Sequence, residues 1–127
     1  TPFYVWSVDS NNLVRSYVDT GGALEGRIVM QQNESGTQDF AAFATDSYSP
    51  GINVPVSIAS RHGSTFINGA VDGTALTANT TPTAFPDLST TDLVIAPSGG
   101  PQVIQEFIMW GGETGDIGDA GLEETSE

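Results

Sequence analysis

Short apolar runs alternate with turn-forming residues along the whole chain, and within the runs the apolar positions recur every second residue, the period of half-buried strands. Phe3 to Val8 is the first run, Ser10-Asn11-Asn12 turns the chain, and Leu13 to Val18 returns. On the returning run Leu13, Arg15 and Tyr17 share one face and Val14, Ser16 and Val18 the other, because successive strand side chains point to opposite sides. The two runs predict a hairpin. Gly21-Gly22 interrupts, Arg27 to Gln32 resumes, Asn33 to Gly36 turns again, and Asp39 to Ala44 makes a fourth run before Ser49-Pro50-Gly51.

Val54, Val56 and Ile58 alternate with Pro55, Ser57 and Ala59, with Pro55 marking an edge or the start of a strand because it has no N–H to donate. Ser64 to Asn68 then leads into Asn68-Gly69, a pair that tolerates positive φ at both positions and so predicts a two-residue hairpin turn, with Ala70-Val71-Asp72-Gly73 continuing beyond it. Thr74 to Thr91 is rich in Thr, broken by Pro82 and Pro86 and poor in large apolar residues, which predicts an extended crossover tied to the surface of the fold. Asp92 to Ala96 and Val103 to Trp110 are the last runs, separated by Pro97-Ser98-Gly99-Gly100-Pro101. Because Val103 to Trp110 is apolar on both faces apart from Gln105 and Glu106, it is expected to be a central or bulged strand. About eight strands then make an all-β antiparallel sandwich over residues 1–112, with Val56, Ile58, Leu93, Ile95, Phe107 and Met109 in its core. Residues 113–127 form an acidic segment that closes the domain or lies exposed, with at most one helical turn over Asp119 to Glu124, capped by Asp119.

Composition narrows the function. A chain of 127 residues is one domain with one core. Three Arg, no Lys and 16 acids give a net charge of −13, which repels phosphate backbones and anionic head groups and makes nucleic acid and membranes poor partners. The absence of Cys removes disulfides, thiolate catalysis and zinc-thiolate sites. No run approaches the length of a membrane span, and the start, strand-like and without Met, is expected to follow further upstream residues.

Candidate chemistry is sparse. His62 is the only histidine, and without a Cys or a second His it builds neither the usual nucleophile pair nor a zinc site, so a solvated loop residue is expected and no enzyme activity. Asp116 and Asp119, in a Gly-punctuated loop, are weak candidates for calcium, although their spacing departs from the EF-hand; no other cofactor is expected. Tyr48, in an Asp-Ser-Tyr-Ser-Pro loop, is the aromatic expected to be exposed, and with Arg61 and His62 it forms the candidate set for contact with a glycan. The triplets Asn33-Glu34-Ser35 and Asn79-Thr80-Thr81 match the glycosylation sequon but arise readily by chance.

From Ile58 onward the order of features resembles the concanavalin A-like, laminin G-like jelly rolls of bacteriophage virion proteins. The resemblance covers the C-terminal 70 residues or so, with the strand and turn Val56-Ser57-Ile58-Ala59-Ser60-Arg61, the hairpin Phe66-Ile67-Asn68-Gly69-Ala70-Val71-Asp72-Gly73 and the crossover ending Thr81-Pro82-Thr83-Ala84-Phe85-Pro86. It continues with Leu93-Val94-Ile95, Ile104-Gln105-Glu106-Phe107-Ile108-Met109-Trp110 and the closing Ile117-Gly118-Asp119-Ala120-Gly121-Leu122. The resemblance implies a jelly roll without catalytic residues, on the exterior of a phage particle in tail, fibre or capsid surface. It implies a homo-oligomer among other virion subunits, with glycan binding as the alternative role. The strands that usually precede the equivalent of Phe3 are missing here, so an upstream segment or a neighbouring subunit is expected to complete the sandwich.

Overall fold

The computed structural model describes residues 2–22, 25–41, 55–97, 103–109, 121 and 124–126. These are nearly all β, in strands β1 (Pro2–Asp9), β2 (Asn12–Val18), β3 (Ile28–Glu34), β4 (Thr37–Phe40), β5 (Ile58–His62), β6 (Ile67–Val71), β7 (Thr74–Ala75) and β8 (Leu93–Ile95). Two antiparallel sheets result, one ordered β4-β3-β2-β1-β8 and the other β5-β6-β7. Each sheet is a meander of neighbours in sequence, and β8 alone crosses over, to add its three residues along β1.

Local chemistry explains the turns. Asp9 Oδ1 accepts the backbone N–H groups of Asn11 and Asn12 at 2.8 and 2.9 Å, closing the first hairpin through a side chain. Ser35-Gly36 and Asp72-Gly73 both hold positive φ, at 49° and 84° and at 47° and 77°, the backbone of a two-residue turn matched to the twist of its strands. Asp72-Gly73 therefore turns β6 into β7. The hairpin turn expected at Asn68-Gly69 is not there, since both residues lie inside β6 and pair with Arg61 and Ser60 of β5.

The layers meet where β6 lies over β3. Met30 and Ile67 are fully buried at the centre, with Ile28, Ala41 and Leu76 beside them, and Phe3, Val18, Val56, Ile58 and Val71 pack around. Gly69 makes this approach feasible. A Cβ at that position would stand 2.9 Å from both Cγ and Cε of Met30 and 3.1 Å from the carbonyl oxygen of Ala59. Glycine is thus required here by close packing inside a strand and not by turn geometry.

The Thr/Pro-rich segment, expected to be a crossover throughout, begins in strand β7 and only then runs over the sheets as irregular chain. Gln32 Nε2 donates to the carbonyls of Ala84 and Gly63 at 2.6 and 3.1 Å, Trp6 Nε1 donates to Thr91 O at 2.9 Å, and the Thr83 N–H donates to Asp39 Oδ2 at 2.8 Å. Pro86 and Leu88 of this segment are buried. At the C-terminal end residues 121 and 124–126 are helical, and Ser126, fully buried, accepts the Gly73 N–H on its Oγ at 3.0 Å, so this end of the acidic segment is docked on the β6–β7 turn.

Three expected core positions are corrected. Residues 103–109 form no strand, and Phe107 and Met109 are 41% and 54% exposed. Ile95 is 40% exposed, while Val56, Ile58 and Leu93 are half-buried as expected of an inward face. The reason is the mismatch between the sheets: β8 extends the larger one past β1, and no described strand of the smaller one lies beyond β5 to cover it. Trp110, Val54 and the end of the Asp39 to Ala44 run lie outside the described residues.

Candidate functional site

The inward face of β5 carries Ile58, Ser60 and His62, and the inward face of β1 presents Tyr4 to it. Register supplies the alignment. Tyr4, Ser16 and Met30 form one row across β1, β2 and β3, while Ser60 and Gly69 form the row that faces it from β5 and β6. Met30 fills the hollow over Gly69, and the small Ser16 separates it from Tyr4, whose hydroxyl reaches across to the second sheet. An irregularity in the β1–β2 register between Pro2 and Tyr4 brings Phe3 against the core as well, so two consecutive aromatic side chains serve the interior.

Tyr4 Oη lies 2.7 Å from Ser60 Oγ and 2.9 Å from His62 Nε2, and the Tyr4 and His62 rings meet edge-on at 6.3 Å. Phe107 meets the Tyr4 ring from the open side, with centroids 6.4 Å apart. His62 Nδ1 is buried without a hydrogen-bond partner. Proton bookkeeping follows from that orphan. If Tyr4 donates to Ser60 and accepts from His62 Nε2–H, the group left over at Nδ1 is a lone pair; the reverse assignment leaves an N–H, which is more costly to strand in the interior. The Nε2–H tautomer is therefore assigned. Burial raises the Tyr4 pKa far above the usual phenol value and lowers that of His62 from 6.5 to about 4, so both stay neutral at pH 7.

This arrangement joins the two sheets through one hydroxyl. A phenol pushed upward is a poor acid, and the Ser60 hydroxyl contacts the phenol where an activated nucleophile would contact a base. Contrary to the expected solvated loop residue, His62 ends a strand with its ring turned inward. Arg61 lies on the opposite face of β5, its guanidinium 4.2 Å from the Phe66 ring, so the structure does not bring Arg61 and His62 together. Tyr48, Asp116 and Asp119 lie outside the described residues. Among the described residues no group of three or more His, Cys, Asp or Glu could hold a metal, and no helix is long and apolar enough to cross a membrane.

A second polar chain lies on the other face of the larger sheet. Arg15 Nε donates to Gln31 Oε1 at 2.9 Å, Gln31 Nε2 to Asn33 Oδ1 at 2.6 Å, and Asn33 Nδ2 to Ser10 O at 3.0 Å, while the Arg15 guanidinium covers the Tyr17 ring at 4.5 Å. Burial raises the Tyr17 pKa, with Arg15 opposing. Gln31 and Asn33 are buried, so the Asn33 amide of the first sequon is structural, and in the second Asn79 Oδ1 accepts the Thr81 N–H.

Sequence reasoning did not bring Tyr4 and Ser60 together. One signal pointed to them: Ser60 and His62 share the period-2 face of Ile58, and two polar groups on a core face require a polar-tipped partner opposite. Comparisons of the chain with protein-family models, with curated proteins and with solved structures return no match.

Proposed function

We propose that this chain is a non-catalytic module of a bacteriophage virion, a concanavalin A-like jelly roll working in assembly and display on the particle exterior, with adhesion to a host surface as an added role. The observation that carries the assembly part of this reading is the set of exposed apolar residues on 103–109 and β8. Val103 is 91% exposed, Phe107, Ile108 and Met109 are each more than two-fifths exposed, and Val94 and Ile95 of β8 are exposed as well. Exposed apolar side chains gathered on one short segment and on the edge strand β8 suit a docking surface better than open solvent.

Charge shapes the contact. Two copies bring −13 each, and Arg15 and Arg61 are already engaged on Tyr17 and Phe66. Self-association therefore relies on apolar burial and strengthens with salt, which screens repulsion beyond about 10 Å at 0.1 M. Solution mass at low and moderate salt tests this: a homo-oligomer favoured by salt is expected, and a monomer under both conditions refutes it. Imaging of the intact particle then locates the copies. The alternative, a glycan-binding module, gains nothing from Arg61 stacked on a neighbour or from His62 turned into the interior.

A further inference from the structure

We propose that Tyr4, Ser60 and His62 form an acid-sensitive latch that holds the smaller sheet and the 103–109 segment against β1 while His62 is neutral and releases them when it is protonated. The inference is independent of the assembly role, because it rests on the contact between the sheets alone. Tyr4 Oη bridges from β1 to Ser60 and His62 of β5, and Phe107 rests on the Tyr4 ring, so one side chain joins three parts of the chain. With Nε2–H given to Tyr4, a second proton must enter at Nδ1, which is buried and has no partner to receive it.

Among the described residues that face His62, none offers a countercharge. From β1 the facing group is Tyr4, neutral throughout; from β5 it is Ser60; from β6 the register partner is Ile67; and on the open side lies Phe107. The charges borne by these elements are Arg61, turned onto Phe66, Asp9 at the far end of β1, and Glu106 beside Phe107. Desolvation is accordingly the cause of the lowered His62 pKa. The linkage has a definite sign. In the open state His62 takes up its proton near pH 6.5 and in the closed state only near pH 4, so the open state binds more protons between those values. The closed form is fully favoured above pH 6.5 and loses about tenfold per pH unit below it, roughly 150-fold by pH 4.

His62 is the only histidine, so its ring resonances can be followed by NMR without assignment, and a midpoint well below 5 in the folded chain is expected. Hydrogen exchange over 58–62 and 103–109, corrected for the intrinsic pH dependence of exchange, should show opening that increases as pH falls from 6.5 to 4.5. His62→Gln, neutral at every pH and still able to donate to Tyr4, should remove that dependence, while carboxylate titration remains in both proteins as a common background. Tyr4→Phe should open more at every pH yet keep the slope, since burial of the imidazole is its cause. A folded-state midpoint near 6.5, or an equal slope in His62→Gln, overturns the latch. Should His62→Gln fail to fold, the NMR midpoint of the native chain still decides.

Discussion

Over β3 the two sheets meet through Met30 seated above Gly69, and over β1 they meet through Tyr4 bonded to Ser60 and His62. The first contact is apolar and shaped: a fully buried thioether fills the space left by a missing Cβ, and the one polar neighbour in its row, Ser16, is buried with its Oγ unpaired and makes no bridge between the sheets. The second is polar and half-open, with one satisfied hydroxyl bridge, one orphan nitrogen and an exposed aromatic on its outer side. Packing of the first kind contributes through many dispersion contacts and lost water, and it tolerates change poorly because interiors are close-packed. Hydrogen bonding of the second kind contributes little net stability but makes that stability conditional on protonation. The same pair of sheets therefore has a constitutive centre and a conditional flank.

The largest expected effect breaks the centre. Met30→Ala empties a fully buried site between the layers and should cost about 2 to 5 kcal/mol, read as a shifted urea midpoint with an unchanged slope. A loss under about 1 kcal/mol would show that the layers close over the gap, and the contrast with the flank would fail. Gly69→Ala attacks the same contact from the other side. Its Cβ would press on Met30 and on the Ala59 carbonyl, one flexible and the other not, so a cost of about 1 to 3 kcal/mol is expected. Because the Met30 side chain takes part in both, the double variant should cost less than the two single costs combined.

Tyr4→Phe tests the flank. It removes the hydroxyl while keeping the ring against Phe107, leaving His62 Nε2 and Ser60 Oγ without their partner, and should cost about 1 to 2 kcal/mol at pH 7. An effect as large as that of Met30→Ala would mean that the polar bridge belongs to the constitutive core.

The sequence made the two regions unequally legible, and for the same physical reason that they differ. Alternation is a local signal, so the β1–β2 hairpin, the strand over Arg27 to Gln32 and the opposed faces of β2 were readable with nearly correct bounds. Two Asn/Asp-Gly pairs stand four residues apart at Asn68-Gly69 and Asp72-Gly73, and local turn chemistry ranks them alike. Only Met30, distant in sequence, decides that Gly69 stays in the strand and the turn falls at Asp72. Val103 to Trp110 has the composition of a central strand, but a strand also requires a neighbour with free backbone groups, which composition cannot reveal. His62 was misplaced similarly: a single titratable residue has no pattern, and its burial depends on Tyr4, far away in the chain.

The smallest stability effect separates holding from docking. Phe107 is two-fifths exposed and touches the fold through an edge-on contact with Tyr4, the kind worth about 0.5 to 1.5 kcal/mol when complete. Phe107→Ser should therefore lower stability by about 1 kcal/mol or less, the mildest change of the series. If the apolar flank is where copies meet, the same substitution removes an aromatic anchor from that surface, where a single such residue commonly carries more than about 1 kcal/mol of binding. Association measured by sedimentation at moderate salt should then weaken by roughly tenfold while the monomer remains folded. The opposite outcome, a marked loss of stability with association unchanged, would place Phe107 in the core of the sandwich and return the 103–109 segment to the strand role that its composition suggests.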